Sequence, residues 1–294
     1  MKKMKTWQQR QNRSGYMFML PWIIGFLIFT LFPFVATIAL SFSNVNSTIL
    51  GYEISFAGMD NYITAFFKNT EFVPALGGYL KMVIPYTFVV VVVAFIIAYF
   101  LENISKAKGF FRTLYFLPVI IMSGPVMSKL LDTKTSEYQI GNGRTYEDIF
   151  IIQMISSYSH GAANAVITVF EQLSTILWFT GIPIILFING LQKINPSTYE
   201  AARIDSANRW QILWKITIPI IRPIALIVTI FTIVQLGMFD INPVYSLIVT
   251  YMGNTSGGLG FAATYAWIYT IVVLMLMGLA LLLFRERKSR VKHY

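Results

Sequence analysis

Few side chains in this sequence have the type and spacing that covalent chemistry needs. There is no cysteine among the 294 residues, which removes thiolate nucleophiles, disulfides and Cys-based metal sites together. Histidine occurs twice, at His160 and His293; the charge pattern described below puts them on opposite sides of a membrane, so they cannot share a metal. No G-x-x-x-x-G-K-[ST] segment is present to cradle a nucleotide's phosphates. Gly257, Gly258 and Gly260 form the nearest Gly-rich stretch, but with no Lys and no strand before them they read as a turn. What remains is binding chemistry inside apolar runs. Thr232 and Gln235 are three residues apart and Phe239 follows four later, so the three share one helical face. Trp178, Phe179 and Ile182 lie beside Gly181 and Pro183, where a kink can open space for a ligand. Rings with a few hydrogen-bonding groups suit a sugar, whose C–H faces pack on aromatics while its hydroxyls need partners. The plainer reading has Thr232 bonded to its own helix, Gln235 bridging two helices and Trp178 at an interface. Glu171, a carboxylate in or beside an apolar run, is either functional or a snorkelling side chain near a helix end.

The elements that position these groups follow from composition. Hydrophobic residues make up 56% of the chain and charged ones 12%, and the mean hydropathy of +0.62 is beyond what a soluble domain carries. A helix of roughly 20 apolar residues crosses the hydrocarbon core of a bilayer. Six stretches qualify, from about Tyr16 to Phe42, Tyr79 to Leu101, Phe110 to Leu130, Ala165 to Leu191, Ile216 to Phe239 and Ala263 to Phe284. Kinks are expected at Pro21, Pro33, Pro85, Pro118, Pro125 and Pro183. The first run is too long for a signal-peptide core and lacks a cleavage site, so it is expected to be retained. The expectation is an all-α membrane protein of the bacterial inner or plasma membrane, with residues 1–294 forming one transmembrane domain.

Charge sets orientation. Lys2, Lys3, Lys5, Arg10 and Arg13 precede the first run; Lys106, Lys108 and Arg112 follow the second; Lys193, Arg203, Arg209 and Lys215 follow the fourth; Arg285, Arg287, Lys288, Arg290 and Lys292 follow the last. The positive-inside rule puts these four segments, and both termini, in the cytoplasm. The net charge of +10 is therefore topological and not a basic face for nucleic acid. On the opposite side the loop Asp132 to Asn164 is long, and its part from Ile149 to Tyr158 is apolar enough to lie on the membrane as a short helix.

The informative loop is YEAARIDSANRWQILWKITIPIIRP, Tyr199 to Pro223. Asn195 and Pro196 start a helix, with Ser197 as a cap; Asp205 to Asn208 makes a turn; a second short amphipathic helix then places Trp210, Leu213 and Trp214 on one face before Pro219. This segment resembles the EAA loop of ATP-binding cassette (ABC) importer permeases: Glu200, Ala201 and Ala202, then Asp205 and Ala207, then Ile216 and Pro219 at the family's spacing. Ser206 stands in place of the family's Gly, without glycine's free access to positive φ, and Ile218 in place of Leu. Phe56 to Tyr62 resembles the family's Phe-x-Gly-Leu-x-Asn-Tyr stretch, and Lys108 to Pro118 its entry to the third helix. The form is that of the carbohydrate-uptake branch, the maltose and glycerol-phosphate type. From Asp240 to Phe261 the family is followed poorly.

The resemblance implies a type I importer permease fold with the loop about 193–219 as the ATPase-coupling element. It implies as partners a homologous second permease subunit, two ABC ATPase subunits, an extracellular or periplasmic solute-binding protein, a carbohydrate or other polar solute, and membrane lipid. This chain would bind no cofactor, ATP and Mg being held by the ATPase subunits. The path residues it implies are those of the fourth and fifth spans named above. The alternative is a secondary transporter or channel working without an ATPase, which would need intramembrane ion sites that these spans, Glu171 aside, lack.

Overall fold

In hydrocarbon a backbone must satisfy its own hydrogen bonds, so apolar runs of this length become helices. The computed structural model of the chain describes residues 7–48, 51–103, 160–239, 241–255 and 258–285, leaving aside the side chains of 7–14, Ser47, Asn103 and 160–174. In chain order the elements are α1 (Trp7–Phe26), a π-turn (Leu27–Leu31), α2 (Phe32–Ser41), β1 (Ser43–Thr48), β2 (Gly51–Phe56), α3 (Asp60–Ile63), a second π-turn (Thr64–Lys68) and α4 (Phe72–Asn103). After the undescribed stretch come α5 (His160–Leu191), α6 (Pro196–Ile204), α7 (Arg209–Ile212), a third π-turn (Leu213–Thr217), α8 (Ile218–Gly237), α9 (Pro243–Met252) and α10 (Gly258–Leu283).

Among the described residues four helical runs are long and apolar enough to cross a membrane: Gly15–Ser41, Phe72–Glu102, Arg209–Gly237 and Gly258–Leu283. Thr175–Leu191 and Pro196–Ile204 together pass the same test but meet at 66°. The chain is therefore a multi-pass membrane protein. The expected span Phe110 to Leu130 and the surface helix Ile149 to Tyr158 lie outside the described residues, as do Pro118 and Pro125. Helices continue through Pro21, Pro85, Pro183 and Pro223. At Pro33 and Pro219 the preceding turn is π-helical instead. Proline cannot donate to the carbonyl four residues back and its ring crowds it, and a widened turn takes up both defects.

The chain divides into two compact units, residues 1–79 with 240–272, and residues 80–239 with 273–294. In the first, the expectation of helices alone is corrected: β1 and β2 form an antiparallel hairpin, with Ser43 opposite Phe56 and Thr48 opposite Gly51. The segment is too polar to span and too short for a stable helix, so its backbone groups pair across a hairpin. The stretch Phe56 to Tyr62 anchors that hairpin. Buried Asn61 donates through Nδ2 to the carbonyls of Ser41 and Ser43, at 3.1 and 2.9 Å, while Thr264 Oγ1 donates to Ser41 O at 2.9 Å. Gly260 is required here, since any Cβ would collide with the Ser43 carbonyl. Asn61→Ala removes the donor to Ser43 O, and an orphaned buried acceptor costs about 1–3 kcal/mol. The expected result is a thermal unfolding midpoint several degrees lower in detergent; an unchanged midpoint would contradict this role.

The second unit is built on an apolar cluster in which Ala94, Ala98 and Leu101 of α4, Ile184, Phe187, Ile188 and Leu191 of α5, and Ile221 and Val228 of α8 are buried together. Gly190 of α5 allows the approach of α8, because a Cβ there would lie 2.9 Å from Ile224 Cγ1. Arg222 closes one end of the unit by donating to the carbonyls of Leu283 and Arg285 at 2.9 and 3.2 Å, which caps the end of α10. Along the first span, large apolar side chains such as Phe18 of α1 and Phe29 of the π-turn stand 87% and 80% exposed, as the lipid-facing side of a span requires.

Candidate functional site

Two groups of residues in the second unit can act on something outside the chain. The first is the loop between α5 and α8. Asn195, not Ser197, is the cap of α6: its side chain accepts from Ser197 N at 3.1 Å, with Pro196 at the first helical position. The helix stops at Asp205 through a pair of reversed bonds, Ala207 N to Ala202 O at 2.9 Å and Ser206 N to Arg203 O at 3.0 Å. That is the Schellman arrangement, which needs a left-handed residue at the inner donor, just past the end of the helix. Ser206 supplies it at φ 60°, at a cost of about 1–2 kcal/mol relative to the right-handed region. Asn208 then caps the next helix reciprocally with Gln211, at 2.8 and 2.9 Å.

The separate amphipathic helix expected before Pro219 is not formed. From Arg209 the chain runs as one 29-residue helical stretch to Gly237, because the π-turn Leu213–Thr217 absorbs the proline that would have ended it. Trp210 and Trp214 do share a face, their rings 5.6 Å apart and both exposed; Leu213 is half-buried. On α6 Glu200, Ala201 and Arg203 are exposed, as are Asp205 and Ser206 beyond it, whereas Ala202 is only 8% exposed. Ala207 and Ile216 are half-buried and Pro219 is exposed. Tyr199, which the sequence alone did not single out, packs against the apolar cluster and places its OH 3.3 Å from Thr217 Oγ1. Through Tyr199, α6 is in contact with the cluster that joins α4, α5 and α8.

The second group lies between α5 and the end of α8. Phe239 meets Phe179 with ring centroids 5.2 Å apart and Trp178 at 6.3 Å, both edge-on. Trp178 Nε1 and Gln235 Oε1 are buried with no hydrogen-bond partner. Thr232 is wholly buried and gives its hydroxyl to Val228 O at 2.8 Å, so it is satisfied within its own helix. Ile182 is half-buried. The Glu171 side chain lies outside the described residues. The geometry thus joins Trp178, Phe179, Phe239 and Gln235 and sets Thr232 apart. One donor and one acceptor left unpaired in an aromatic wall are what a polar ligand would complete. Among the described residues no group of His, Asp or Glu could hold a metal ion.

The chain that carries this loop and, further along the same two helices, this aromatic wall has relatives over almost its whole length. No family model matches the chain. It is 27% identical over 307 residues to YesP, a probable ABC transporter permease protein of Bacillus subtilis, covering 97% of this chain and 94% of that one. The chain is similar to ABC transporter permeases over almost its whole length. It is also 27% identical to the arabinooligosaccharides transport system permease protein AraP of the same organism, with 85% and 76% covered. Its fold matches a chain in the crystal structure of a bacterial alginate ABC transporter in complex with an alginate pentasaccharide-bound periplasmic protein, with a TM-score of 0.62, 18% identity, and 96% and 98% covered.

Proposed function

We propose that this permease forms half of the translocation path of an ATP-driven importer for a carbohydrate or a similar polar solute. The observation that carries the reading is the loop about 193–219: a capped helix at 66° to the helix before it, with Glu200 and Asp205 exposed and Tyr199 seated on the bundle. Such a projection has no use in a channel that works alone, and it suits docking to a separate ATPase chain. In this reading residues 1–294 are one transmembrane domain with six spans, Phe110 to Leu130 among them. A homologous second permease completes the path, two ATPase subunits hold ATP and Mg beneath it, and an extracellular or periplasmic binding protein delivers the solute. Closure of the ATPases drives the loops together and tilts the bundles between inward-facing and outward-facing arrangements. The sugar names of the relatives, and the saccharide-bound complex of the structural neighbour, support the solute class.

The test is reconstitution: the permease should co-purify with an ATPase chain, and uptake into vesicles should require ATP hydrolysis. Uptake without any ATPase would refute the reading. Topology has its own expected result. Since the chain has no cysteine, single Cys substitutions report sidedness, and a membrane-impermeant thiol reagent added outside should label Ser136→Cys and Asn254→Cys but neither Ser206→Cys nor Ser289→Cys. The inverse pattern would overturn the orientation with both termini cytoplasmic.

A further inference from the structure

The long helix α4 carries a polar side chain that fits no structural role. Its buried positions in the second unit are Val83, Thr87, Val90, Ala94, Ala98 and Leu101, at the steps of three and four residues that mark one helical face. The C-terminal part of that face, Ala94, Ala98 and Leu101, packs on α5 in the apolar cluster. Thr87 is its one polar member, 7% exposed, and its hydroxyl has no hydrogen-bond partner. Threonine in a helix ordinarily gives its hydroxyl to the carbonyl one turn back, as Thr229 and Thr270 do here at 2.7 Å. Thr87 does not. An unpaired buried hydroxyl destabilises a fold, and valine would fill the same space without that cost.

The register of the helices places Thr87 beside the group already described. Phe95 packs on Phe187 with centroids 5.6 Å apart, and Gln192 Nε2 donates to Glu102 Oε2 at 3.1 Å, so α4 and α5 run in the same direction. The same eight-residue step back along each helix, about 12 Å, leads from Phe95 to Thr87 and from Phe187 to Phe179. Gly190 faces Ile224 while Phe179 meets Phe239, so α5 and α8 are antiparallel. An eleven-residue step from the Gly190–Ile224 crossing, roughly 16 Å, leads to Phe179 on one helix and Gln235 on the other. Thr87, Trp178 and Gln235 therefore occupy one layer on three helices. Each has a buried polar atom without a partner.

We propose that Thr87 is a third solute-contacting group of the path, completing a layer of one N–H donor, one carbonyl acceptor and one hydroxyl that is matched to a ligand with neighbouring hydroxyls. A diol both donates and accepts at each oxygen, so it can satisfy all three groups at once, whereas an apolar or purely anionic ligand leaves at least one unpaired. The inference rests on the reading of Trp178 and Gln235 as path residues.

The absence of cysteine allows a test that needs no knowledge of the solute. Thr87→Cys, Gln235→Cys and Phe88→Cys, the last on a ring 69% exposed on the outer side of α4, are each treated in the assembled importer with methanethiosulfonate ethylsulfonate, with and without ATP. Only a thiolate reacts, and it forms where water reaches, so labelling at positions 87 and 235 should exceed that at 88 by roughly 100-fold. Labelling at 235 with 87 spared would overturn the role of Thr87 and leave the path reading standing. Sparing of both positions in every nucleotide state would overturn both. Thr87 as a mere packing residue predicts no labelling, since its buried position would then stay dry.

Discussion

Glu200→Lys is expected to abolish transport and to release the ATPase subunits, with the permease itself still folded. The carboxylate is exposed on α6, so its own chain does not depend on it, and charge reversal costs the fold little. At a desolvated interface the loss of a hydrogen-bonded charge pair costs about 2–4 kcal/mol, roughly 30- to 1000-fold in affinity, and reversal adds repulsion. The two alanines that follow differ in a way the motif conceals. Ala201 is exposed and Ala202 is buried, at 8% exposure. Ala201→Trp therefore tests docking alone, and it should loosen ATPase binding while leaving the unfolding midpoint unchanged. Ala202→Trp should do both, because overpacking a filled site typically costs about 1–3 kcal/mol. Co-purification and thermal unfolding of the three variants separate the effects. Normal ATPase retention in Glu200→Lys and Ala201→Trp together would remove the docking role from this face.

Much of this architecture can be read in the chain before any coordinates, for a physical reason. Apolar runs such as Phe72 to Glu102 leave the backbone one economical solution in lipid, so the described spans are legible in place, although two of them, starting at Phe72 and Arg209, begin well before the expected Tyr79 and Ile216. The turn at Asp205 to Asn208 is legible as well, since small polar residues after a helix-forming run end a helix. What escapes is set by interactions distant in sequence. The hairpin Ser43–Phe56 depends on Asn61 and on the close approach of Gly260, and no local pattern announces either. The fusion of α7 with α8 escapes because Pro219 reads as a stop, whereas a π-turn lets the helix continue. Within the site, the grouping of Trp178, Phe179 and Phe239 follows from spacing and helix adjacency. Spacing cannot show that Thr232 bonds within its own helix while Gln235 does not, because that is decided by side-chain rotamers and by the neighbouring helix. Thr87 escapes for the opposite reason: a lone threonine before a run of valines reads as ordinary helix packing.

Trp178→Phe and Gln235→Met are expected to lower transport about tenfold or more while leaving the fold as stable as before or more so. Both substitutions keep most of the volume and remove a polar atom that is buried without a partner. A buried unsatisfied donor or acceptor destabilises a fold by about 1–3 kcal/mol, so a purely structural account predicts a gain in stability and no loss of function. A solute-contact account predicts the same stability change with a functional loss, because a site built to hydrogen-bond a hydroxyl penalises the loss of that bond by about 1.4 kcal/mol or more for each tenfold. The opposed signs make the pair diagnostic, as expected where binding groups are held at the expense of stability. Thr232→Val is the control: its hydroxyl is already given to Val228 O, so transport should stay near that of the parent. The measurements are uptake of binding-protein-delivered solute into vesicles and unfolding midpoints of the same preparations. Parent-level uptake and unchanged solute preference in both Trp178→Phe and Gln235→Met would place the solute path elsewhere, or on the paired permease alone.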